Sequence, residues 1–155
     1  MENVNTPAWT IASEIELVYK SKVKASERPS VDTSSSAYRI LLQTWEEGKI
    51  DLVEQFKVIF LNRANKVLAV FQASSGGITG TVADPRLIFT AALKANAVSI
   101  VLAHNHPSGN LRASKADEDF TNKFKQAGSF LDIKVVDHLI ITSEAYFSFA
   151  DEGLL

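Results

Sequence analysis

Apolar and polar positions alternate with period two over residues 13–19, where Ile15, Leu17 and Tyr19 are interleaved with Glu14, Glu16 and Val18. Successive side chains on an extended chain point to opposite faces, so this stretch predicts a half-buried strand. Residues 20–36 are polar, contain Pro29 and end in Ser34-Ser35-Ser36. They read as a surface loop handing over to a helix N-cap. The spacing then changes to three and four: Ala37, Ile40, Leu41, Thr44 and Trp45 mark a first helix, with Gly48 at its expected stop. Residues 56–61 and 67–71 are rich in β-branched and aromatic side chains and flank Asn62-Arg63-Ala64-Asn65-Lys66. That pattern predicts a hairpin of two central strands.

A Gly-rich stretch over 74–81 leads to Asp84-Pro85, an N-cap followed by a proline at the first helical position, opening a helix to about Lys94 that Asn96 closes. Residues 98–102 are a continuous apolar run of strand length, expected to be buried on both faces, and a polar loop over 104–113 follows. Ser114 is placed to cap the next helix with Asp117 at its third position, and Phe120, Phe124 and Ala127 form its buried stripe before Gly128. A last strand covers 133–141. Strand, helix, two strands, helix, strand, helix and strand in that order predict an α/β domain with a mixed sheet flanked by helices.

The length, 155 residues, suits one domain over 1–155, with an N-terminal strand and polar loop over 1–36 and the core over 37–155. With 46% hydrophobic and 22% charged residues the chain has the balance of a packed globular domain rather than of a disordered one. A formal net charge of −2 argues against a protein that neutralises many phosphates. Lys20, Lys22, Lys24 and Arg28 make one modest basic strip, read as a solvated strand end and loop, so a nucleic-acid partner is only weakly supported. There is no cysteine, which excludes disulfides and limits any metal to nitrogen and oxygen ligands. Residues 1–10 lack the basic-then-apolar pattern of a signal peptide. The longest apolar run, 97–103, is far short of a bilayer span. The expectation is a cytoplasmic protein with no membrane partner.

His104-Asn105-His106-Pro107 follows the apolar strand, and residues two apart on an extended chain share a side, so both imidazoles can converge on one metal. Asp117, in the first turn of the next helix, can complete a His₂Asp set and leave a fourth position to water, the pattern of a catalytic site. Such a set suits zinc, and iron or manganese can also occupy it. Two histidines two residues apart, with a carboxylate in the first turn of the next helix, favour a metal over a structural role. For Asp137-His138 the opposite holds: a histidine on an apolar strand reads first as a hydrogen-bonded core residue and only second as a partner of the metal ligands. The Gly-rich stretch is too generic to be a phosphate cradle.

His104-x-His106-Pro107 followed by Ser114-x-x-Asp117 resembles the JAMM metal motif of the MPN or JAB domain family. The stretch from His104 to Gly109 and the later Asp137-His138-Leu139-Ile140-Ile141 resemble its RadC branch, and the likeness runs from about Glu54 to the C-terminus. The resemblance implies a JAB fold, a mixed sheet between helices in a three-layer arrangement like that of cytidine deaminases. It implies zinc held by His104, His106 and Asp117, with Ser114 donating a hydrogen bond to an oxyanion. It also implies an upstream carboxylate that moves a proton from water to the leaving amine. Glu54, in a Glu-x-Phe setting just before a strand, is the choice over Glu46 and Glu47 at the end of the preceding helix. The Glu-x-x-Gly form common elsewhere in the family is absent. The implied activity is that of a metallopeptidase or isopeptidase acting on a peptide or isopeptide-linked protein. Two alternatives stand beside it. One is a protein linked to DNA repair, as the RadC name suggests, although longer members carry an N-terminal helix-hairpin-helix region for which this length leaves no room. The other is a non-catalytic scaffold, a kind of member that typically loses the ligands, all three of which are present here.

Overall fold

Thr33, one residue ahead of the serine run, starts the first helix. In the computed structural model, which describes residues 7–10, 20–76 and 83–155, the Thr33 hydroxyl accepts from the Ser36 N–H and the Ser36 hydroxyl accepts from the Thr33 N–H. This reciprocal box satisfies two donors that a helix start otherwise leaves orphaned. The resulting α1, Ser34–Thr44, buries Ala37, Ile40 and Leu41. It stops because Trp45 is extended (φ −82°, ψ 135°) and because the Lys57 ammonium donates to the Thr44 carbonyl at 2.7 Å, a favourable place for a cation. A short α2, Glu47–Ile50, follows at once. Gly48 therefore lies inside α2 and does not terminate α1, as the sequence had suggested. The strand expected over 13–19 lies outside the described residues.

β1 (Gln55–Leu61) and β2 (Val67–Ser75) form the expected antiparallel hairpin. Its turn uses Asn65 at φ 57°, while the Asn62 side chain accepts from the N–H groups of Ala64 and Lys66. β3 (Ser99–Asn105) pairs antiparallel with β1 and parallel with β4 (Lys134–Ile141), and β5 (Tyr146–Ser148) pairs antiparallel with β4. The strand order is β2-β1-β3-β4-β5, a mixed sheet as expected. Only β1 of the hairpin is flanked on both sides among the described residues; β2 lies at the end of the order, not at the centre. β3 is buried throughout and extends past the apolar run to take in His104 and Asn105.

Helices cover both faces. α3 (Pro85–Lys94), capped by the Asp84 carboxylate on the Arg86 N–H, and α4 (Lys115–Phe130) pack on one face. There Ile88, Phe89 and Phe124 meet Phe56, Val58, Ile100 and Leu102. On the other face α1 meets Ile59, Leu61, Val101, Ala103 and Leu139. The result is the three-layer α/β arrangement. Gly128, expected beyond the end of α4, lies within it, at a point where a Cβ would stand 2.3 Å from the Ile133 carbonyl oxygen. The glycine permits close approach of helix and chain. Since β3 and β4 are parallel, α4 serves as the crossover, which brings the loop after β3 and the start of α4 to one edge of the sheet.

Candidate metal centre

His104 stands in β3 between Phe56 on β1 and Ile140 on β4, on the face that α4 covers. It is buried, with 6% of its surface exposed. His106, just past the strand, is anchored by its N–H on the Ile141 carbonyl at 3.0 Å, and its ring Nδ1–H donates to the Asn110 carbonyl at 2.5 Å. The two Nε2 atoms lie 3.0 Å apart. Asp117 Oδ1 is 3.4 Å from His104 Nε2, and one ligand atom from each of the three residues falls within 4.8 Å of the others. Asn105, on the opposite face of the strand, is fully buried and uses its whole amide: Nδ2 donates to the Ile50 and Val53 carbonyls at 2.7 and 2.8 Å, and Oδ1 accepts from the Gln55 N–H at 2.7 Å. It ties β3 to the segment that carries Glu54.

Ser114 and Asp117 form the expected capping box. Asp117 Oδ2 accepts from both the N–H and the hydroxyl of Ser114, each at 2.8 Å, which leaves Oδ1 to face His104. Glu54 lines the same cleft, of about 450 Å³, together with Ser114, Arg112 and Phe120. All five residues singled out in the sequence thus border one space. Glu46 directly precedes α2 and Glu47 is its first residue; both are exposed and neither borders the cleft.

Burial pushes the His104 imidazole down to about 4, with Asp117 opposing and His106 reinforcing the shift. Because His104 is neutral near pH 7, its 3.4 Å approach to Asp117 is not an ion pair. It brings an imidazole nitrogen and a carboxylate oxygen to the same point. Two nitrogens, one oxygen and no thiolate fit a divalent ion such as zinc, iron or manganese.

Behind His104 lies His138, fully buried, with Nε2 2.9 Å from His104 Nδ1 and Nδ1 2.6 Å from Thr121 Oγ1. Burial holds its pKa well below the ordinary value. His138 is the hydrogen-bonded core residue the sequence favoured, and its partner is a metal-ligand candidate. Asp137 points to the opposite face, where it accepts from the Ser148 hydroxyl at 2.6 Å and the Ala150 N–H at 3.0 Å, and burial raises its pKa. Neighbours on a strand face opposite sides, and an irregularity in β4 decides which of the two faces α4. Val135 stands opposite Ile100 and Asp137 opposite Val101, so Val136 is an extra residue that changes which sequence parity faces α4. Thr121, in mid-helix, carries no sequence signal of its own.

A sheet between helical layers, with two imidazoles and a carboxylate meeting beyond β3, defines an α/β protein with a candidate divalent-metal centre. The family model of the RadC-like JAB domain matches residues 31–154, and the chain belongs to that family. It is 52% identical over 101 residues to a UPF0758 protein of Flavobacterium johnsoniae, covering 65% of this chain and 44% of the relative. It is 40% identical over 153 residues to a UPF0758 protein of Porphyromonas gingivalis (96% and 65%) and 45% identical over 102 residues to UPF0758 protein YeeS of Escherichia coli (66% and 69%). The match thus takes in less than two thirds of the first two of these relatives. Among the described residues, no helix is long and apolar enough to cross a membrane.

Proposed function

We propose that the chain is a zinc-dependent hydrolase that cleaves an amide bond of a peptide or of an isopeptide-linked protein. The observation that carries this reading is the convergence of His104, His106 and Asp117 on the wall of a cleft that Glu54 and Ser114 also line. These three residues would hold the ion. A zinc ion there would polarise the amide carbonyl and bring the pKa of water toward neutrality. Glu54 accepts the proton of the attacking water and returns it to the leaving nitrogen, the two halves of general acid-base catalysis. The Ser114 hydroxyl turns from Asp117 Oδ2 to the carbonyl oxygen as negative charge develops there. Its backbone N–H, also 2.8 Å from Oδ2, keeps the carboxylate in place when the hydroxyl leaves.

The test combines elemental analysis with turnover on a panel of peptide and isopeptide substrates. About one zinc per chain is expected, lost on joint replacement of His104 and His106 by Ala. Glu54→Gln keeps the size of the side chain and removes the base, so fold and zinc should persist while kcat falls roughly 10²-fold or more. A zinc-loaded Gln variant that cleaves at the wild-type rate would remove Glu54 from the mechanism. No turnover of any amide by the zinc-loaded wild type would leave a metal-binding scaffold.

A further inference from the structure

We infer that Thr121 and His138 are a positioning pair that sets the tautomer of His104, so that its Nε2 is presented bare to the metal. The inference rests on the metal-site part of the reading above and not on amide hydrolysis.

The assignment follows the hydrogens along a line of buried contacts. Thr121 has one hydroxyl hydrogen, and it donates to the Asp117 backbone carbonyl at 2.7 Å. Toward His138 Nδ1, 2.6 Å away, the same oxygen can then only accept, which puts a proton on Nδ1. A neutral His138 protonated there has a bare Nε2. That atom lies 2.9 Å from His104 Nδ1 and must accept from it, so the proton of His104 also sits on Nδ1. His104 Nε2 is left bare, facing His106 Nε2 at 3.0 Å and Asp117 Oδ1 at 3.4 Å. Starting from the other end gives the same answer, because a nitrogen that binds a metal must carry no proton. A doubly protonated His138 would reverse the line, forcing the His104 proton onto Nε2 and blocking the site.

The surroundings leave the pair few other arrangements. Thr121 is 1% exposed and His138 not at all, so bulk water does not replace a missing partner. The His138 ring is stacked on Phe149 at 4.7 Å and bordered by Phe56 at 5.9 Å, which holds its plane. Asp117 stands at both ends of the line, its carboxylate beside His104 and its carbonyl on Thr121. One turn of α4 therefore sets the position of one ligand and the tautomer of another. The line ends on a backbone carbonyl, which has no proton to give, so it orients and does not carry protons.

The experiment uses Thr121→Val, which preserves shape and removes the hydroxyl, beside Thr121→Ser, which keeps it. Zinc affinity, measured by competition with a chelator, should fall about 10- to 100-fold in the Val variant and return close to wild type in the Ser variant. Imidazole nitrogen NMR of the zinc-free protein should show His104 in the Nδ1–H form in wild type and Thr121→Ser, and a mixture of tautomers in Thr121→Val. A folded Val variant with wild-type zinc affinity and an unchanged His104 tautomer would overturn the inference. So would a wild-type spectrum with the His104 proton on Nε2, a result that needs no variant to fold. Absence of amide cleavage would defeat the proposed activity and leave both of these readouts intact.

Discussion

Ser114 holds Asp117 three ways in the first turn of α4: its hydroxyl accepts from the Asp117 N–H at 3.1 Å and donates to Oδ2, and its own N–H donates to Oδ2. Replacing Ser114 by Ala removes the first two and spares the third. The expected outcome is loss of about 1 kcal/mol of stability, the usual worth of such a cap, with zinc retained and turnover lost. Thermal denaturation, elemental analysis and kinetics on one sample separate these effects, and unchanged turnover would reduce Ser114 to a cap. That His104, His106, Ser114 and Asp117 come together was legible because the i, i+2 spacing of the histidines on extended chain and the capping-box spacing are local rules. His138 was legible as a partner of the metal ligands only as the second reading, because Val136 breaks the alternation on which a facing argument depends. Asn105 sat unnoticed between the two histidines, since its partners at Ile50, Val53 and Gln55 are about fifty residues away in the chain.

At the scale of elements, α4 carries the ligand candidate Asp117, and its far end is seated by Gly128 against the Ile133 carbonyl. Gly128→Ala would gain roughly 1 kcal/mol of helix propensity, yet a Cβ 2.3 Å from a backbone oxygen forces helix and chain apart. The clash should win, with a net loss of roughly 1–3 kcal/mol in urea denaturation. A more stable Ala variant would contradict the close-approach argument. The same glycine shows why helix ends are hard to place from sequence. Gly48 and Gly128 both look like stop signals, but what ends α1 is the extended backbone of Trp45 with Lys57 on the last carbonyl, and what Gly128 answers is a contact across space. β5 carries no sequence signal for a simpler reason, since three residues are too few to show a period.

For the whole molecule, the layered α/β order was readable from the succession of periods, whereas the strand order depends on pairings that no local pattern encodes. One global property follows from the buried imidazoles. As pH falls through 6.5, His104 and His138 of the unfolded chain take up protons, while folded His104 stays neutral to about 4 and His138 also lies well below the ordinary value. The unfolded state binds protons first, so this stability is fully present above about pH 6.5 and is lost as the pH falls toward 4. For His104 alone the difference corresponds to roughly 3 kcal/mol. Asp137, raised by burial, acts in the opposite sense and trims the loss at the acid end. Denaturation of the zinc-free protein should therefore need less urea at about pH 5 than at about pH 7.5, and equal or greater resistance at the lower pH would refute the sign. The carboxylate of Asp117 adds a different kind of coupling, because its two oxygens belong to two systems: Oδ2 closes the start of a helix and Oδ1 faces the His104 imidazole. With the proposed ion in place, fraying of that helix end and departure of the ion would be coupled, and the amide hydrogens of the first turn of α4 would then exchange with solvent more slowly as metal is added.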